Sequence, residues 1–155
     1  MRKHQVLRYV VVYGMWLVVM AVGLWLLLVS RDVVLGAVAR LLVDDSTAHT
    51  WQLVSVERFY MVGAGLLWLM MTVVSEAYLR RGIDRGGLLR RFARLLAPQL
   101  LLLFGVDAAL LALQGLRGGP LRWLILIVEL GLGIGSLIVA RGAPGVWADM
   151  KASDA

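Results

Sequence analysis

Residues Tyr9 to Ser30 read YVVVYGMWLVVMAVGLWLLLVS, 22 positions without one charged side chain. A helix of that length measures ~33 Å at ~1.5 Å per residue, enough to cross a hydrocarbon core of ~30 Å. Backbone amides in lipid must bond within their own segment, so such a span is helical. The stretch follows Arg2, Lys3 and Arg8, as the core of a signal peptide would. It is too long for that role and runs into Ser30-Arg31-Asp32 with no small-x-small cleavage site. It is expected to remain in the chain as a first span.

The same pattern recurs three times downstream. Phe59 to Leu79 is broken only by Glu76 near its end. Ala97 to Leu116 carries Asp107 at its middle, and Trp123 to Ala140 carries Glu129. These runs are leucine-rich and do not alternate, which excludes barrel strands. Two shorter stretches differ in kind. Val33 to Val43 is apolar over 11 residues, too short to cross, and is expected as a helix on the outer surface before the polar turn Asp44-Asp45-Ser46-Thr47. In Gly86 to Leu96, Leu88, Leu89, Phe92, Leu95 and Leu96 make one stripe and Arg90, Arg91 and Arg94 the other. That pattern is a basic amphipathic helix at the inner surface. Gly118-Gly119-Pro120 reads as a tight outer turn. The expected fold is a single all-α integral membrane domain over residues 1–155: a four-transmembrane-helix antiparallel bundle with an outer and an inner interfacial amphipathic helix.

Composition agrees with that class. Hydrophobic residues make up 61% of the 155, above the ~45–50% of soluble domains, and the 17% charged residues cluster between apolar runs. The net charge of +6 is read as topology, not as affinity for nucleic acid. Arg2, Lys3, Arg8, Arg80, Arg81, Arg85, Arg90, Arg91, Arg94, Arg141 and Lys151 fall on one side of the spans. Arg31, Arg40, Arg58, Arg117 and Arg122 fall on the other. By the positive-inside rule both termini are expected in the cytoplasm of a cell whose inner (plasma) membrane holds the chain. Trp25, Trp51, Trp123 and Trp147 sit near the expected interfaces. Arginine so outnumbers lysine that a GC-rich bacterial genome is expected. A cysteine placed at Ser46 should react with a membrane-impermeant maleimide on intact cells. Reaction only after permeabilisation would invert the orientation.

The absence of cysteine removes disulfides, thiolate metal sites, iron–sulfur clusters and thiol redox chemistry. His4 and His49 both lie outside the spans, so no bis-histidine haem sits among them. No metalloprotease, phosphate-loop, nucleophile-elbow or dinucleotide motif occurs. No catalytic residue, metal or cofactor is therefore expected. Met61, Met70 and Met71 with Trp68 read as packing and lipid contact before a quinone pocket.

The chemically informative residues are Asp107 and Glu129, eleven positions before and after Gly118. At ~1.5 Å per residue both lie ~16 Å below the outer turn, near the bilayer midplane. Charged groups at that depth face a protein interior, a cavity or a partner. Two close carboxyls cannot both ionise cheaply, so a shared proton or cation site is one reading and an ion pair with a partner subunit is the other. Gln114 and Arg122 lie one heptad from each acid, toward the outer surface, and suggest a polar track. Glu76 is expected to pair with Arg80 at i,i+4 or to assist ion entry. Glu57 is expected to pair with Arg58. Gly131 with Gly135, and Gly105 with Ala109, are small-residue pairs that let helices approach closely. The face formed by Arg90, Arg91 and Arg94 is expected to bind anionic lipid or an acidic partner. Taken together, the sequence reads as a non-catalytic subunit that docks to and stabilises a larger membrane complex, its partners being lipids and other membrane chains or copies of itself. The alternative is a small proton- or cation-coupled transporter using the paired carboxyls.

Overall fold

The computed structural model describes residues 2–41, 48–85, 87–116 and 118–142. They form four helices: α1 (Arg2–Leu41), α2 (Ala48–Arg85), α3 (Leu88–Leu113) and α4 (Pro120–Arg141). Each is long and apolar enough to cross a membrane. α1, α2 and α4 each contain one of the spans read from sequence, whereas the third, expected to run to Leu116, ends with α3 at Leu113, where Gln114 to Leu116 turn. The chain is thus all-helical with four candidate membrane crossings, consistent with a multi-pass membrane protein. The polar turn at 44–47, Arg117, Trp147 and Lys151 lie outside the described residues.

Two boundaries differ from expectation. Val33–Val43 is not a separate surface helix, because its residues up to Leu41 continue α1 without a break. The pair Arg31-Asp32 was read as the end of a span. Arg31 instead reaches across to α2, where Nε donates to Glu57 Oε1 at 3.0 Å and Nη2 contacts the same oxygen. Nη1 bonds Asp32 Oδ1 at 3.3 Å. The helix ladder consists of backbone groups, so a charge answered by a neighbouring helix does not interrupt it. The same contact gives Glu57 a partner other than Arg58. Gly86–Leu96 is likewise no independent helix. Gly87, at φ +74°, precedes α3, and Leu88 to Leu96 run directly into the third span across Pro98. One proline removes one backbone donor, which membrane helices tolerate where neighbours compensate. α1 has 40 residues and α2 has 38, lengths of ~60 and ~57 Å that exceed the ~40–45 Å of a whole bilayer with its headgroups.

Polar contacts give the directions of the helices. Along α1, Tyr13, Trp16, Met20, Leu27 and Arg31 meet Glu76, Thr72, Trp68, Tyr60 and Glu57 of α2, in descending order. α1 and α2 therefore run antiparallel. α3 and α4 do the same, with Arg94 at Ala140, Leu101 at Gly133 and Gln114 at Arg122. α3 packs on α4 and α1, and less on α2. Among the described residues no Cα of α4 comes within 8 Å of one in α1 or α2. The four helices therefore form an open array, not a closed ring. Lipid tails are as apolar as leucine, so hydrophobicity gives no drive to close one.

The turn between α3 and α4 follows from local sequence. Gly115 adopts φ +69°, Gly115 N donates to Ala112 O at 3.0 Å, and Leu116 N donates to Leu111 O at 3.0 Å. This is the double-bonded glycine cap that closes many helices. Gly119 then caps α4, with Pro120 in its first turn, where a missing amide proton costs nothing.

Candidate functional site

Asp107 sits in the last third of α3 and Glu129 in the first half of α4. The glycine turn brings the two helices together, and the Asp107 carboxyl is a neighbour of Glu129. Glu129 is only 7% exposed, and its Oε2 has no donor among the described protein groups. Asp107 is half-buried. Two carboxylates cannot donate to each other, so a bond between them requires a proton held by one.

Toward the turn, Arg122 Nη1 donates to Gln114 Oε1. Arg122 and Asp107 line the same cleft of about 400 Å³, bounded by Trp25 of α1 and by Gly119. Of the four residues read as a polar track, Arg122 thus meets Gln114 and shares a cleft with Asp107, while Gln114 and Glu129 are not among the residues that line it. Glu76 is not part of it, since α2 does not approach α4. Glu76 Oε1 accepts from Tyr13 Oη at 3.3 Å and from Arg80 Nη1 at 3.5 Å, the local i,i+4 pair.

The three arginines of the amphipathic stretch each reach a neighbouring helix. Arg91 Nη1 donates to Tyr78 O at 3.2 Å, and its guanidinium lies 5.2 Å from the Tyr78 ring centre. Arg94 Nε donates to Ala140 O at 3.3 Å. Arg90 packs against Gly142, where a Cβ would stand 2.9 Å from its Nη2. The last carbonyls of a helix lack intrahelical donors and carry its negative end, which cations satisfy. Arg90 and Arg94 thus gather at the end of α4, whereas Arg91 meets Tyr78 in the body of α2, seven residues before its end. Arg90 and Arg94 remain largely exposed.

Small residues divide into two sets. Nothing lies within 4 Å of where a Cβ would stand on Gly131, Gly135 or Gly105, and Ala109 is exposed. Gly133 is the point of close approach: a Cβ there would stand 2.9 Å from Leu101 Cδ2. Sequence reading missed Gly133 because the four-residue motif drew attention to its flanking glycines. It also passed over Gln99, which α3 buries against α1 and α2. Among the described residues no three His, Cys, Asp or Glu side chains cluster as metal ligands would. Compared with known proteins, the chain matches no family, no curated protein and no solved structure.

Proposed function

We propose that the chain is a non-catalytic, multi-pass subunit of the cell's inner membrane that docks to a larger membrane assembly through the outer faces of α3 and α4. The observation that carries this reading is the outward placement of Gly105, Ala109, Gly131 and Gly135, with no packing partner for the three glycines among the described residues. In lipid, helix association depends on close packing of small faces. Among the described residues no Cα of α1 or α2 comes within 8 Å of α4, which leaves much of its circumference for a partner. The orientation with both termini in the cytoplasm is supported by Arg8, Arg80, Arg81, Arg90, Arg91, Arg94 and Arg141, which the helix directions bring to one end. The exposed Arg90 and Arg94 then suit headgroup contact there.

The test is purification of the full chain in mild detergent beside Gly131→Leu/Gly135→Leu. The wild type should run with further membrane chains or as an oligomer. The variant should run as a single chain of unchanged helix content. A wild type that is monomeric with no co-purifying chain would overturn the reading.

A second reading has its own observation. The adjacency of Asp107 and Glu129 supports a proton site in a small coupled transporter. The Arg122 guanidinium beside the cleft repels metal cations and disfavours their entry, whereas protons move along hydrogen bonds.

A further inference from the structure

The two polar atoms of the Gln99 amide stand in different surroundings. Oε1 is enclosed by protein. Nε2 makes no hydrogen bond among the described residues yet keeps accessible surface. It lies on the side of Gly23, 3.5 Å from where a Cβ on that glycine would stand. Gly23 and Gln99 both line a cavity of about 280 Å³ between α1, α2 and α3. The polar atom that Gln99 offers to this cavity is therefore a donor. Exchanging the two amide atoms would enclose two unmet N–H groups in place of one carbonyl, which is the costlier arrangement.

No acceptor of the wall is placed to meet Nε2. Trp68 lines the cavity with an indole, which only donates, and its Nε1 donates to Met20 O at 3.4 Å. The hydroxyls of Ser30 and Tyr60 bond each other and the carbonyls of Leu26 and Leu27. Ser30 is also seven residues along α1 from Gly23, a rise of ~10 Å. An unmet donor among apolar walls is costly, and native proteins rarely keep one. Water is a poor occupant, because it needs two to four polar partners and finds one here. Leu67 and Leu102 are more than half exposed, so the cavity opens on the outer face of the helices. Its volume is near the lower end of the ~300–1,000 Å³ typical of small-molecule sites.

We infer that this cavity binds a lipophile with a carbonyl head, the carbonyl oxygen accepting from Gln99 Nε2 and the apolar body lying along Leu26, Leu67, Met71 and Leu102. The need for an acceptor sets the class. An oxidised quinone or an acyl ester presents such an oxygen to the amide, and a hydrocarbon chain does not. Gly23 keeps the approach to Nε2 open, since a Cβ there would also stand 3.3 Å from Trp68 Cδ1.

The probe is a long-chain methyl ketone carrying a diazirine at its far end, with the hydrocarbon of equal length as control, photolysed with the purified full chain. Labelled residues are mapped by mass spectrometry. Label should fall on Leu67, Met71 or Leu102, with half-saturation about tenfold lower for the ketone than for the hydrocarbon, the scale of one hydrogen bond to a buried donor. Gln99→Leu, close in size and without the amide, should erase that difference. Ala64→Phe, which fills the cavity from its α2 wall and leaves Gln99 in place, should reduce labelling by both probes. Equal labelling of the wild type by ketone and hydrocarbon, a difference that survives in Gln99→Leu, or label confined to other surfaces would overturn the assignment. Competition separates the sources. Displacement at lower concentration by decylubiquinone assigns a quinone, and by dioleoylphosphatidylcholine an acyl ester of the bilayer, whereas displacement by neither would overturn the site.

Discussion

Gly133→Leu is expected to detach α4 from α3. A Cβ at Gly133 already meets Leu101 Cδ2 at 2.9 Å and Leu101 Cγ at 3.2 Å, so three further carbons have no room. Overpacking of a close contact costs ~1–3 kcal/mol in soluble cores, and more where the neighbours cannot yield. Leu100 stands directly behind, its Cβ at 3.5 Å and its side chain buried. α4 has no second helix to hold it, so the strain is not shared. The contact of Arg94 with Ala140 and the bond of Arg122 to Gln114 are expected to loosen with it. The measurement is denaturation of the purified chain by a graded harsh detergent, followed by tryptophan fluorescence, in which Gly133→Leu should lose its structure at much lower detergent than the wild type. Gly131→Leu, two positions away on the open face, should be indistinguishable from wild type in the same assay. Equal loss in both variants would mean that Gly133 is not the point of close approach.

Asp107→Leu and Glu129→Leu are each expected to destabilise the chain by ~1–3 kcal/mol, the cost of leaving one buried polar partner unanswered. The double variant should cost less than either. Replacing both partners by apolar groups of similar shape is nearly neutral, and replacing buried ion pairs in this way has stabilised soluble proteins. The quantity to measure is therefore the coupling in a double-mutant cycle, which should be large and should offset the single losses. Additive losses would mean that the two acids act separately. The cycle also separates the two functional readings. A proton site predicts loss of coupled transport in all three variants with assembly intact. A docking subunit predicts assembly that follows Gly131 and Gly135 and is indifferent to the acids.

Sequence alone carried four long apolar helices, because uncharged runs of this length have few other uses. It also carried the place of the turn between α3 and α4, since glycine fixed where that turn would fall. It did not carry the helix ends. Arg31-Asp32 read as a stop because Glu57, the partner of Arg31, lies 26 residues away on another helix. Arg90, Arg91 and Arg94 read as a free basic face for the same reason: Arg91 and Arg94 donate to backbone carbonyls of α2 and α4 and Arg90 lies against Gly142, contacts that sequence pattern does not mark. The open arrangement was also hidden. Every helix surface in lipid is apolar, so hydrophobic pattern does not distinguish a face turned to a neighbour from one turned to acyl chains. Gln99 is the exception that could have been found: an amide in a leucine-rich run asks for a partner before any coordinates exist.

The short glycine-capped turn bears on how the chain is made. Asp107 leaves the ribosome before Glu129 does, and a mid-span aspartate costs ~2.5–3.5 kcal/mol on the biological insertion scale. The leucines around it, Leu100 to Leu103 first among them, offset part of that cost one residue at a time. The remainder is answered only when the turn has closed and the second acid arrives. With both helices in a membrane, α3 and α4 would form one unit of insertion, a hairpin whose second limb completes the first.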